Sequence, residues 1–246
     1  VDRAIDRVLD WIVRQARRLL NRLRGRADPA AQQAIDPANM TPDQKKAFDQ
    51  MYKDFVIEYE RGLITAVNSG VKANKLLQIC AGGVIQTETG DVLRFDNKHK
   101  LNGLYEIQQE CKKLIVFLPF REALISVADF LKSKNLKVGI VHGDVKRNAR
   151  TIIFDDFQKG NTDVLVMHPR TSAHGLTLTA SNTIVWFSSY ADNEIYNQAN
   201  ARIRRMGQTK PQVIIKFFCS SVERRVYRIL DRKGRMSENL LELFEN

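Results

Sequence analysis

Arg202 and Arg205 lie three residues apart in Gln198-Ala199-Asn200-Ala201-Arg202-Ile203-Arg204-Arg205-Met206-Gly207-Gln208. On a helix, side chains at that spacing share a face, and two guanidinium groups side by side can grip the outer oxygens of a triphosphate bidentately. Arg204, next to Arg205, points about 100° away on the same helix. An isolated Arg-x-x-Arg equally suits a solvated basic helix, but Gln198 in front and Gly207-Gln208 behind set this pair apart. Other chemistries are poorly supplied. His99, His142, His168 and His174 lack H-E-x-x-H spacing. Cys80, Cys111 and Cys219 are far apart in sequence, odd in number and without a C-x-x-C pair, so neither a disulfide framework nor a zinc site is expected. The sequence contains no G-x-x-x-x-G-K-[ST] loop, no Asp-Glu pair after an apolar run and no G-x-S-x-G elbow.

The elements that must position the arginines read as an α/β fold. Five apolar runs, Leu114–Leu118, Val138–Val141, Val164–Met167, Thr183–Phe187 and Val213–Phe218, are rich in Val, Ile and Leu. Helical patterns over Glu122–Lys134 and Arg147–Gln158 separate the first three, and another over Asn193–Met206 precedes the fifth. Continuous apolar runs alternating with helices predict buried parallel strands. In such sheets ligands meet the carboxyl ends of the strands, which draws attention to the loops after Leu118, Val141, Met167 and Phe187. Upstream, Thr41-Pro42-Asp43-Gln44 starts a helix whose apolar face runs through Phe48, Met51, Tyr52, Phe55 and Tyr59 to near Gly62. A second helix is expected over Thr65–Cys80, a hairpin around Thr89-Gly90-Asp91, and a third helix over Lys98–Glu110. Trp186 and Phe187 are assigned to the core and His168 to a loop.

The charge is uneven. Eight Arg face three Asp between Val1 and Arg26, and eleven Lys and Arg face Glu223 and Asp231 between Arg202 and Arg235, within a net charge of +11. An excess of that size points to polyanions. The first block reads as an amphipathic helix with Ile5, Val8, Leu9, Ile12, Leu19 and Leu23 on one face and Trp11 in its packing, followed by a linker over Arg26–Met40. A basic amphipathic helix can also bind a membrane surface or an acidic partner. No apolar run approaches the roughly 18 residues of a spanning helix. A start at Val1 without a signal-peptide pattern reads as a piece of a longer, cytoplasmic chain.

The segment from Gln198 to Gln208 resembles motif six of the superfamily-two helicases, in the form found in Swi/Snf-type DNA-dependent ATPases. Leu114-Ile115-Val116-Phe117 resembles motif four. His142-Gly143-Asp144 with Arg150 and Phe157 resembles the next block, and Asp163-Val164-Leu165-Val166 leading into Thr171-Ser172-Ala173-His174-Gly175-Leu176-Thr177-Leu178 resembles motif five. Asn182-Thr183-Ile184-Val185 resembles the strand that follows, and Leu76-Leu77-Gln78-Ile79-Cys80 with Lys100-Leu101 the run-in to the lobe. The likeness covers roughly residues 41 to 235, in order, and is closest to phage and bacterial members. Ala201, Arg204 and His174 depart from the family's usual acidic residue, histidine and glycine.

The resemblance implies a RecA-like second lobe over residues 96–246, preceded by a helical segment and hairpin over 41–95 and an unrecognised helix and linker over 1–40. It implies that ATP with Mg²⁺ binds in a cleft against a first lobe, which would hold the metal. Arg202 and Arg205 would act as arginine fingers, with Gln198 and Gly175 beside the nucleotide. It also implies duplex DNA held through its backbone, with Thr171 and Ser172 as hydroxyl donors and Arg121, His142 and Gly143 as further contacts; for His142 a structural role in its loop stays equally open. Two other readings remain: a non-hydrolysing module that binds nucleic acid or a partner, and a lobe of a strand-separating helicase. The setting expected is the cytoplasm of a bacterium or a phage-infected host. Without a phosphate loop or metal carboxylates, the chain alone is expected to hydrolyse no ATP. Purified protein with saturating ATP and duplex DNA should stay at background, and turnover that survives removal of contaminating ATPases would contradict this.

Overall fold

The computed structural model describes residues 31–35, 40–59, 62–172 and 176–232. Strand β1 (Ala31–Ile35) comes first, then helix α1 (Pro42–Asp54), with Pro42 in the first turn where a missing N–H costs nothing. The helix ends at Phe55, which takes a left-handed conformation with φ 62°. Strands β2 (Val56–Tyr59) and β3 (Gly62–Thr65) then pair antiparallel. Helix α2 (Ser69–Cys80) is capped by the Asn68 side chain, which accepts from Val71 N at 2.9 Å. A second hairpin joins β4 (Gly83–Ile85) to β5 (Val92–Arg94). The rest alternates: α3 (Lys98–Cys111), β6 (Leu114–Phe117), α4 (Arg121–Ser133), β7 (Val138–Val141), α5 (Arg147–Lys159), β8 (Val164–Met167), β9 (Thr183–Trp186), α6 (Asn193–Asn200), β10 (Val213–Phe217) and α7 (Ser221–Asp231).

The six strands of the main sheet run parallel in the order β1-β10-β9-β6-β8-β7. Successive side chains on a strand face opposite sides, and the two cores follow that period. Ile115, Phe117, Leu165, Met167, Ile184, Trp186 and Ile214 pack with residues of α1, α2, α5, α6 and α7. Leu114, Val116, Leu118, Val164, Val166, Val185, Val213 and Ile215 pack with α3 and α4 on the other side. Each fully buried aliphatic or aromatic side chain contributes on the order of 1.5–3 kcal/mol by leaving water, which is why the runs carry no polar alternation. This is a parallel α/β sheet flanked by helices, as the apolar runs predict, and it has the RecA-like form that the resemblance implies.

Three elements differ from the sequence reading. The helix starting at Thr41 does not continue to Gly62; β-branched Val56 and Ile57 follow the left-handed Phe55, and the chain turns back as a hairpin. Part of the stretch read as a linker, Ala31–Ile35, extends the sheet beside β10. The helix read through to Met206 ends at Asn200 and tightens into a 3₁₀ turn over Ala201–Ile203. The amphipathic helix expected over Val1–Arg26 lies outside the described residues, as do Ala173, His174 and Gly175. Among the described residues, no helix is long and apolar enough to cross a membrane.

Candidate functional site

The arginine segment is fastened at three points. Trp186 Nε1 donates to Asn200 Oδ1 at 2.9 Å, pinning the end of α6 to β9. Leu178 N donates to the carbonyl of Arg202 at 3.1 Å, so the loop before β9 holds the 3₁₀ turn. Gln208 Nε2 donates to Ser181 O at 3.0 Å and reaches Thr179 O at 3.4 Å. Between them Gly207 takes φ +96°, a conformation that any Cβ would strain. The Gly-Gln ending is therefore a clamp that fixes where the arginines emerge.

Arg205 leaves from the bend after the 3₁₀ turn and is exposed, whereas Arg202 is only 5% exposed. Their shared helical face does not exist, because Arg204, with φ −96° and ψ 58°, breaks the helical path. Proximity does survive: burial first, then the charge of Arg205, lower the Arg202 pKa. Two like charges held this close disfavour each other, and an anion bound by both relieves the repulsion. This donor set fits phosphate oxygens and not a metal ion. Gln198, one turn upstream and half-buried, donates to Glu194 at 2.9 Å.

At the carboxyl edge of the sheet the structure brings Arg121, His142 and Gly143 together. Arg121 opens α4, and its Nε lies 3.1 Å from Asp144 Oδ2; His142 Nδ1 lies 3.6 Å from the same carboxylate. Arg150 clamps this loop from α5, donating to Val145 O at 2.7 Å, Gly143 O at 2.8 Å and His142 O at 3.2 Å. In sequence Arg150 belongs to the motif that follows His142-Gly143-Asp144; only the fold makes it a clamp on that loop.

Thr171 and Ser172 do not sit as exposed donors. They lie in a 3₁₀ turn over Pro169–Ser172, both buried. Thr171 Oγ1 donates to His168 O and Ser172 Oγ to Pro169 O, each at 2.6 Å. The hydroxyls satisfy the carbonyls left by β8 and shape the turn. The exposed donor there is Arg170, whose Nε donates to the Tyr190 hydroxyl at 2.7 Å. Sequence reading missed Arg170; a basic residue inside the motif-five turn was the available signal. His168, two residues before it, has a pKa lowered first by burial and then by the charge of Arg170.

Behind the sheet edge lies a buried hub. Lys100 Nζ donates to Cys80 O at 2.9 Å and Phe187 O at 3.2 Å and lies 3.5 Å from Glu223 Oε1, with both charged side chains almost wholly buried. Glu223 also accepts from Cys219 N at 2.8 Å and from Ser188 Oγ at 3.4 Å. Burial alone pulls the Lys100 pKa down, but Cys219, Glu223 and Cys80 act against it and prevail. Cys80, Cys219 and Glu223, distant in sequence, present ligand atoms within 4.8 Å of one another. The Lys100 ammonium already neutralises the carboxylate, and burial and Cys219 push the Cys80 thiol well up, which disfavours the thiolate a metal requires.

The chain is similar to known proteins in sequence and in fold. Residues 98–207 match the helicase conserved C-terminal domain. The DNA repair protein rad8 of Schizosaccharomyces pombe is 28% identical over 149 residues, covering 57% of this chain and 13% of rad8. The SWI/SNF-related matrix-associated actin-dependent regulator of chromatin subfamily A-like protein 1 of Drosophila melanogaster is 27% identical over 147 residues, covering 56% of this chain and 19% of that protein. The chain thus spans under a quarter of either relative. The Sulfolobus solfataricus SWI2/SNF2 ATPase core domain superposes with a TM-score of 0.61 at 19% identity, covering 85% of this chain and 44% of that one. That likeness is one of fold.

Proposed function

We propose that the chain, whose residues 98–207 match the helicase conserved C-terminal domain, is the C-terminal lobe of a Swi/Snf-type superfamily-two helicase and serves as the second motor lobe of an ATP-driven translocase on duplex DNA. The observation that carries this reading is the clamped turn that holds Arg202 and Arg205 within electrostatic reach of each other. Arg205, exposed, supplies positive charge to the γ-phosphate as charge builds there. Arg202, nearly buried beside it, orients the turn and adds a second guanidinium once the two lobes close. Such groups act where charge develops in the transition state and are preorganised before it. Gln198, and Gly175 outside the described residues, are assigned to the nucleotide's edge. ATP bound between the lobes, with its Mg²⁺ on the first, supplies the phosphoryl group and the energy for movement. No metal carboxylates are assigned to this chain.

Duplex DNA is assigned to the carboxyl edge, with Arg121, Arg170, His142 and Gly143 facing its backbone. Thr171 and Ser172 are assigned the turn that presents Arg170. Asp144 beside Arg121 keeps that guanidinium extended and is displaced when a phosphate takes its place. Phosphate contacts of this kind carry no sequence information.

Binding to duplex DNA should therefore be sequence-tolerant and steeply weakened by salt, and Arg170→Ala and Arg121→Ala should each reduce the slope of log K against log salt by about 1. Fluorescence anisotropy across a salt series, on the full chain and on a chain lacking residues 1–30, measures this. That truncation keeps β1 beside β10, so the sheet edge is not disturbed. Unchanged slopes in both variants, or all affinity residing in residues 1–30, would remove the carboxyl edge from the reading.

A further inference from the structure

A cavity of about 480 Å³ opens at the same carboxyl edge, within the size range of small-molecule sites. Its walls come from the loop after β6 (Pro119 and Phe120), the loop after β9 (Ser189, Tyr190 and Asp192), Arg170 and one face of α2. Leu77, Phe120 and Val226 make much of it apolar.

Two observations say what would fill it. Ser189 lines the cavity with a side chain that is 0% exposed, yet its Oγ has no hydrogen-bond partner. A buried hydroxyl left this way costs free energy that a ligand acceptor would remove. Tyr190 accepts from Arg170 Nε, which leaves its own O–H to donate, and burial pushes its pKa up, so the proton stays. The cavity's one carboxylate, Asp192, already caps α6 by accepting from Ile195 N at 3.1 Å. The polar groups that face a ligand are thus the Tyr190 O–H as a donor, the Ser189 hydroxyl, which can donate or accept, and a guanidinium at the side of an aromatic and apolar pocket.

We propose that this cavity receives one unstacked nucleotide, its base against Phe120 and Tyr190 with acceptor atoms facing the Ser189 and Tyr190 hydroxyls, and its phosphate on Arg170. Aromatic and apolar walls take a base by its face whatever its identity, and donors at the rim favour a base bearing carbonyl oxygens. The nucleotide is either part of a strand laid along the edge or free in solution. The strand-borne form rests on the backbone-tracking reading above and goes beyond it, since tracking needs only phosphates.

The test titrates the full 246-residue chain with two end-labelled duplexes, one fully paired and one carrying a single bulged thymine, with free thymidine monophosphate as competitor. The bulged duplex is expected to bind about tenfold tighter, a factor in the range of one stacked base. Ser189→Leu, which fills the cavity, should erase that preference and leave paired-duplex affinity unchanged. Phe120→Ala, at a half-buried position, removes the ring against which the base would stack, should do the same, and covers the case in which Ser189→Leu does not fold. Competition by millimolar thymidine monophosphate assigns the site to free nucleotides, and failure to compete assigns it to the strand. Equal affinity for the two duplexes, or a preference that survives in both folded variants, overturns the proposal while leaving the backbone reading intact. Failure to bind either duplex overturns both.

Discussion

Arg205→Ala, in a protein that joins this lobe to its first lobe, is expected to lower DNA-stimulated ATP turnover about 10³–10⁵-fold, which is about 4–7 kcal/mol of transition-state stabilisation. DNA affinity should hardly change, because a group acting on charge that develops only in the transition state is read in kcat and not in binding. Arg205 is the cleaner of the two positions. It is exposed on the bend, so its truncation removes charge without opening the core, whereas Arg202 is nearly buried and its truncation leaves a void in the packing. Arg202→Ala should therefore cost stability as well as turnover. Arg204→Ala is the control: exposed and equally basic, it should leave kcat within a few-fold of wild type. Steady-state kinetics at saturating ATP and DNA separates these outcomes. Equal losses at Arg204 and Arg205 would make the segment a generic basic patch.

The second large effect is on stability. Lys100→Met should destabilise the lobe by about 3–5 kcal/mol, because it leaves the wholly buried Glu223 carboxylate without its cation. Pairing it with Glu223→Leu should recover a substantial part, since removing both charges removes the desolvation penalty. Lys45→Ala breaks the exposed pair with Asp49 and should change little. Urea unfolding measures all three. If Lys100→Met cost no more than Lys45→Ala, the hub would not be a determinant of the fold. Lys100 and Glu223 also hold Phe187 and Ser188 at the end of β9, so they support the loop that carries Ser189 and Tyr190.

The parallel sheet was legible because Leu114–Phe117, Val164–Met167 and Val213–Phe217 are buried on both faces, which leaves an unbroken apolar run in the sequence. The β2–β3 hairpin was not. Phe48, Met51, Tyr52 and Phe55 set a helical period that ran on into Val56 and Ile57, and Phe55 adopts its left-handed conformation without the Gly or Asn that usually announces one. Ala31–Ile35 carries no strand pattern at all; its parallel pairing with β10 is a long-range backbone ladder that the local sequence does not announce. At the candidate site, residue identity drew attention to Arg202, Arg205, Arg121 and His142. It could not reveal that Arg202 turns inward, or that Thr171 and Ser172 spend their hydroxyls on the carbonyls three residues back. Local turns and long-range packing decide those points. Lys100 and Glu223, 123 residues apart, meet only once the sheet is formed.

The most direct measurement is ATP turnover with duplex DNA for the first lobe alone, for this chain alone, and for the two combined on one polypeptide. Turnover is expected only in the combination, with each part alone at background and the Arg205→Ala combination falling back about 10³-fold or more. Turnover by this chain alone, or a combination no faster than the first lobe by itself, would contradict its role as the lobe that completes the ATPase site.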